Sequence, residues 1–268
     1  MKVAFANSAT MPTIERLILR KGSRQKVSLR VRYGIVIHPK LGPTLIDTGY
    51  TPETTQGPRS WPLRLYGMVF RPRLLPDGQI DVTLQKFGLI ADDIKHVIIT
   101  HFHADHISGL RRFPNARFYV DQDAAQSVLA GPGFANIRHG FFKELLPDDF
   151  AERLIDLKAQ PRFENGNALP DGFDLAGDHS IIAIPLPGHT HSHFGIYFPT
   201  LERPFLYATD VQWLTAAIIE NRLPGFPSSI ATADTTKAAA AADIVRQYAH
   251  AGGEVVLCHD PKQTAWDI

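Results

Sequence analysis

The rhythm of apolar and polar positions changes along this chain and marks out its elements. Lys26 to Ile37 (K-V-S-L-R-V-R-Y-G-I-V-I) alternates and then becomes apolar, which predicts a strand. Pro43 to Asp47 predicts a second strand, stopping at the turn Asp47-Thr48-Gly49. Asp81 to Phe87 has the spacing of a short helix, and Ile94 to Thr100 that of a buried strand. Arg117 to Val120 predicts another strand, leading into Asp121 as N-cap of a helix through Ala130. A helix is expected over Asp148 to Leu157. Strands resume at Ser180 to Pro185, Phe194 to Phe198 and Phe205 to Thr209. The alanine-rich run Thr232 to His250 is the clearest helix, opened by cap residues in Thr-Ala-Asp-Thr-Thr-Lys and ended by Gly252-Gly253. Glu254 to Cys258 is a last apolar strand, with His259 at its C-terminal end.

Two stretches break this order. Residues 51–80 hold several prolines with Trp61, Leu63, Leu65, Tyr66, Met68 and Phe70, a poor strand or helix and a good apolar loop or lid. Residues 131–165 open on Gly131-Pro132-Gly133 and carry Phe134, Phe141, Phe142 and Leu145. No internal repeat, low-complexity tract or linker separates the elements. The expectation is one domain over residues 1–268, mixed α/β in order, with these two insertions.

Composition narrows the class. A net charge of +1 gives no electrostatic case for nucleic acid or an anionic membrane as main partner. The single cysteine, Cys258, excludes an internal disulfide and fits a reducing compartment. The N-terminus lacks a sustained apolar run, and no segment approaches eighteen unbroken apolar residues. A cytoplasmic protein is therefore expected.

The chemistry concentrates in seven residues. His101, His103, Asp105 and His106 stand in T-H-F-H-A-D-H-I-S-G, and His189, Asp210 and His259 follow at later strand ends. Imidazoles and carboxylates at this density are costly to bury unless something binds them. Neutral imidazole suits Zn, Fe and Ni, and carboxylates add hard oxygen ligands. Seven ligands exceed what one tetrahedral ion needs, so two adjacent ions sharing a carboxylate and a water fit the count better. His38, His96, His139, His179 and His250 carry no such pattern and are expected at the surface.

This pattern resembles the metallo-β-lactamase superfamily. The resemblance rests on H-F-H-A-D-H (101–106), P-G-H-T (187–190), the Asp of Y-A-T-D (207–210), the His of L-C-H-D (257–260) and L-I-D-T-G (45–49), and it covers nearly the whole chain. It implies a four-layer αββα sandwich, with the insertions 51–80 and 131–165 forming a lid. His101, His103 and His189 would hold a first metal, Asp105, His106 and His259 a second, and Asp210 would bridge. It implies two divalent ions, expected to be zinc, with iron, manganese or cobalt as alternatives. A water between two such cations loses a proton near neutral pH and attacks a carbonyl or phosphoryl group. Asp47 would orient a histidine from beneath the cluster; read from its turn alone, it is an ordinary turn aspartate. His191 and His193 are not expected to ligate; His191 faces the mouth of the site or is a plain loop histidine. Cys258 is read as a buried inert thiol.

Within that superfamily the ligand set is most similar to N-acyl homoserine lactonases, which open a lactone ring by hydroxide attack. The apolar acyl chain would lie against Trp61, Tyr66, Met68, Phe70, Phe141 and Phe142. Similar lactonases often carry a tyrosine three residues after the bridging aspartate. Here that position is Trp213, whose indole N–H can donate but cannot act as acid or base. The expected function is opening of a lactone, or cleavage of a carboxylic ester with an apolar moiety, with Asp105 and Asp210 at the catalytic centre. The partners expected are the small-molecule substrate alone, with neither nucleic acid nor membrane, and a homodimer left open. The alternatives are a thioester or phosphoester hydrolase of the same superfamily, or a mononuclear iron, persulfide dioxygenase-like oxidoreductase.

Overall fold

The computed structural model describes residues 1–131, 133–225 and 228–268, with the side chains of residues 134, 135, 138, 230 and 231 outside the description. Pro132 and the side chain of Phe134, both singled out above, therefore lie outside the described residues. The chain divides into two compact units, one of residues 1–12, 30–156 and 264–268, the other of residues 13–29 and 157–263.

The first unit carries a seven-stranded sheet. Its strands are β1 (Lys2–Ile14), β2 (Lys26–His38), β3 (Gly42–Ile46), β4 (Arg73–Leu74), β5 (His96–Ile98), β6 (Arg117–Val120) and β7 (Leu154–Asp156), in the order β4-β1-β2-β3-β5-β6-β7. β2 and β3 form an antiparallel hairpin, and β3, β5, β6 and β7 run parallel. The parallel register sets Ile46 opposite Ile98. The chain leaving β3 at Asp47 and the chain leaving β5 at Ile99-Thr100-His101 therefore emerge side by side. Phe113, Phe118 and Phe150 are fully buried in this unit's core with Ile35, Leu45, Val97 and Ile107. Each such side chain contributes about 1.5–3 kcal/mol through burial.

The second unit carries a six-stranded sheet of β8 (Arg162–Phe163), β9 (Gly172–Asp174), β10 (Ile182–Pro185), β11 (Phe194–Phe198), β12 (Phe205–Thr209) and β13 (Glu254–Leu257), in the order β13-β12-β11-β10-β9-β8. β10, β11 and β12 alternate in direction, while β13 runs parallel to β12. β10, β12 and β13 thus point the same way and end at one edge of the sheet. The helix Thr235–His250 covers the core of Ile184, Leu206, Val245 and Leu257, and Asp234 caps it by accepting from the Thr236 and Lys237 amides.

Three expectations need correction. Residues 148–157 are not a helix: a short 3-10 turn, Phe150–Arg153, leads into β7. Pairing of Leu154, Ile155 and Asp156 with Phe118, Tyr119 and Val120 outweighs local helical preference. The stretch 51–80 is not a featureless lid, because Trp61–Phe70 is a helix of 10 residues. Pro62 sits in its first turn, where a missing N–H costs nothing, and the Ser60 hydroxyl accepts from the Leu63 amide. His38 is buried rather than at the surface, its Nδ1 accepting from the Lys40 and Leu41 amides at 3.2 and 3.1 Å.

The C-terminal residues 264–268 are pinned to the first unit by Arg32. Its guanidinium is fully buried and donates twice to Asp267, at 2.7 and 2.9 Å. Burial alone would raise the Asp267 carboxyl, but the Arg32 hydrogen bonds, the Thr264 amide and the nearby positive charge together hold it below its usual value. Its stabilising contribution is therefore full above the ordinary carboxylate range and lost as pH falls through and below it. Asp267→Ala, which removes the carboxylate paired with a buried guanidinium, is expected to lower stability by about 3–5 kcal/mol in denaturant titrations at neutral pH. A loss below about 1 kcal/mol would show the pair to be dispensable.

Candidate metal centre

Four of the seven residues follow β5 in the first unit, and His189, Asp210 and His259 follow β10, β12 and β13 in the second. In the first unit, Asp47 follows β3 with φ of 59°, a left-handed conformation uncommon outside glycine. It is fully buried. Its carboxylate accepts from the Thr100 amide at 2.9 Å and the Thr100 hydroxyl at 2.7 Å, and from His106 Nδ1 at 2.8 Å. Burial pushes the Asp47 carboxyl up, and His106 and Thr100 offset part of that rise. A carboxylate only accepts, so the His106 proton sits on Nδ1 and the lone pair on Nε2. Asp47 thus lies in hydrogen-bond contact with a His106 ring nitrogen.

The turns on either side are sewn together. The Thr48 amide and hydroxyl both donate to the His106 carbonyl, at 2.8 and 2.9 Å. The Ser108 hydroxyl donates to the Gly49 carbonyl at 2.8 Å and accepts from the Thr51 amide at 2.9 Å. Gly49 has φ of 63°, and a Cβ there would overlap the Ser8 side chain. His101 Nε2 and His103 Nδ1 lie 3.0 Å apart, so two ring nitrogens address one small volume. Asp105 and His106 share the single-turn helix Ala104–Ile107, with Asp105 Oδ2 3.6 Å from His106 Nε2.

The second unit presents the rest. The loop from β10 to β11 carries His189 near its tip, and its base closes through the Leu186 amide donating to the His193 carbonyl at 3.0 Å. Gly188, at φ of 137°, approaches the helix Thr235–His250 so closely that a Cβ would overlap the Ala238 backbone. The ladder between β12 and β13 shifts between Tyr207 and Thr209, a bulge that re-aims the strand end. Thr209 follows with φ of 48°, an outlier for a β-branched residue. Past it, Asp210 Oδ2 lies 3.0 Å from His259 Nε2 and 3.5 Å from His189 Nε2. Cys258 is fully buried, and its Sγ stands within 4.8 Å of ligand atoms of Asp210 and His259.

Sequence reading missed the role of His193. It is buried, and its Nδ1–H donates to the Leu186 carbonyl at 2.9 Å. Nε2 is then an acceptor, receiving the Asp210 amide at 3.1 Å and contacting the Thr209 hydroxyl. His193 thus holds the strained Thr209–Asp210 step from both sides of its ring. Its spacing from His189 in H-T-H-S-H was the available signal, and that spacing alone does not separate a ligand from a clamp.

The expected substrate residues divide. Tyr66 lies 4.4 Å from Phe70 and 5.1 Å from Phe142 between ring centroids, and Phe141 lies 5.4 Å from His103. An aromatic wall therefore adjoins His103 in the first unit. Trp61 and Met68, 75% and 62% exposed, stand on the outer face of their helix instead. His191 is exposed on its loop. Trp213 walls a small cavity with His189, Asp210, Gln212 and Ser228.

These donor sets fit divalent metal: buried imidazole nitrogens with fixed lone pairs, and carboxylates whose cost of burial a cation offsets. The description Metallo-beta-lactamase superfamily matches residues 31–248. N-acyl homoserine lactonase AttM of Agrobacterium fabrum is 30% identical over 259 residues, covering 94% of this chain and 89% of the relative. AttM of Azorhizobium caulinodans is 27% identical over 261 residues with the same shares. A solved quorum-quenching N-acyl homoserine lactone lactonase superposes with a TM-score of 0.71 at 16% identity, covering 98% of this chain and 94% of that one. AidC, a dizinc quorum-quenching lactonase, gives 0.63 at 15% identity, covering 98% and 91%. At such identities the structures bear on fold alone, and they bear out the expected class of two sheets flanked by helices.

Asp47→Ala tests the orienting role directly. With no side-chain acceptor left at this position for His106 Nδ1–H, the proton is expected to shift toward Nε2, detected by nitrogen-15 NMR of the ring. An imidazole that keeps its proton on Nδ1 would remove Asp47 from that role.

Proposed function

The chain belongs to the metallo-beta-lactamase superfamily, and from that premise we propose a metal-dependent hydrolase that opens N-acyl homoserine lactones. The observation that carries this reading is the complete donor set on two strand-end platforms. It is supported by curated lactonase relatives that align over nearly the whole chain. We assign both compact units to one hydrolase domain, with His101, His103 and His189 holding one divalent ion and Asp105, His106 and His259 a second. Asp210 is assigned as the shared ligand. Zinc is the metal assigned, because the nitrogen-and-carboxylate set suits it and AidC is described as dizinc. When bound, the ions supply a Lewis acid for the carbonyl and lower the pKa of a water toward neutrality.

The chain's own residues do the rest. Asp47 fixes the His106 tautomer so that Nε2 presents a lone pair. His193 fixes the direction of Asp210. Tyr66 and Phe141, backed by the buried Phe142, offer an apolar surface beside His103 for the acyl chain. In the net reaction, water oxygen bonds to the ring carbonyl carbon, the ring C–O bond breaks, and the alkoxide takes a proton to give the open hydroxy acid. Trp213 can donate a hydrogen bond from its indole N–H to the substrate but cannot supply that proton.

Zinc-loaded protein is expected to open a long-chain N-acyl homoserine lactone, followed as proton release in weak buffer, with activity lost on chelation and restored by zinc. Asp210→Ala is expected to lower kcat/KM by at least about 10³-fold, equivalent to about 4 kcal/mol. Full turnover in that variant would remove Asp210 from the centre. Inert lactone with rapid turnover of linear esters would overturn the substrate while leaving the hydrolase.

A further inference from the structure

The helix Trp61–Phe70 has two apolar faces where one suffices to hold it in place. Pro62 and Leu63 are buried on its inner side, and Tyr66 is half-buried there against Phe70 and Phe142. On the outer side Trp61, Leu65, Met68 and Val69 recur at intervals of four, three and one residues, which places them along one stripe. They are 75%, 47%, 62% and 66% exposed. Side chains of this size, contiguous and open to water, mark a surface that is covered in use.

The charge around the stripe selects what covers it. From Gly57 to Pro76 the chain carries Arg59, Arg64, Arg71 and Arg73 and no Asp or Glu. Arg64, Arg71 and Arg73 are exposed, and Arg59 is half-buried, donating to the Thr54 carbonyl. Glu144 reaches this stretch from elsewhere and accepts from the Ser60 amide at the helix start. A symmetric pairing of two copies through this face would set arginines against arginines. An apolar stripe bordered by arginines and carrying an exposed Trp matches an anionic lipid surface, where the apolar side chains enter the acyl boundary and the guanidiniums meet phosphates.

We propose that Trp61–Phe70 is a peripheral membrane-docking helix that seats this protein on anionic bilayers. No helix among the described residues is long and apolar enough to cross a membrane, so the contact is interfacial. It departs from the expectation of no membrane partner, because a net charge of +1 averages over a segment whose own charge is strongly positive.

The test is co-sedimentation of the full chain with vesicles of phosphatidylcholine alone or mixed with phosphatidylglycerol. Binding to the mixed vesicles is expected to exceed that to neutral ones by on the order of tenfold, and to fall at about 0.5 M salt. Leu65→Asp with Val69→Asp is expected to abolish it while thermal unfolding and metal content stay unchanged, since both side chains are exposed. Equal sedimentation of wild type and variant, or none by either, would overturn the proposal. So would a dimer in equilibrium sedimentation that the variant abolishes without any lipid binding, which would give the face to a second copy.

Discussion

Two residues held in left-handed backbone, Asp47 at φ of 59° and Thr209 at φ of 48°, are the constraint on which the site depends. Neither is glycine, and each such conformation costs about 1–3 kcal/mol. Each is over-determined by its surroundings. Asp47 is held by three hydrogen bonds from Thr100 and His106, and the Thr209–Asp210 step by His193 and by the Cys258 amide donating to the Thr209 carbonyl. At about 0.5–1.5 kcal/mol each, and more for a charged acceptor, those bonds offset the strain.

The strain has a purpose in the geometry of the sheets. A strand continued in extended backbone sends successive side chains to alternate faces. A ligand set has to converge instead. Turning the chain sharply at the last strand residue aims Asp47 beneath the His101–His106 turn and Asp210 toward His189 and His259. Parallel pairing of β3 with β5 and of β12 with β13 brings the partner turns alongside, so each half-set is assembled by register within its own unit.

The candidate ligands stood out because their chemistry is extreme: four of the seven crowd into residues 101–106 after an apolar run, and His189, Asp210 and His259 follow later strands. Strands Arg117–Val120, Phe194–Phe198 and Phe205–Thr209 and the Asp121 cap were legible for the related reason that buried strands leave few polar residues. What escaped was decided by tertiary pairing or by geometry at one atom. β7 reads locally as helix and becomes a strand only because β6 offers it a ladder. Trp61–Phe70 was obscured by Pro62, a breaker in mid-helix and harmless in the first turn. The role of His193 depends on which ring nitrogen meets the Leu186 carbonyl, and composition carries no trace of that.

In the function proposed here, the two half-sets hold a pair of metal ions with Asp210 shared between them. Anomalous diffraction from zinc-soaked crystals tests it most directly. Two peaks about 3.5–4 Å apart are expected, both within coordinating distance of Asp210. A single peak, or two that do not share Asp210, would contradict it.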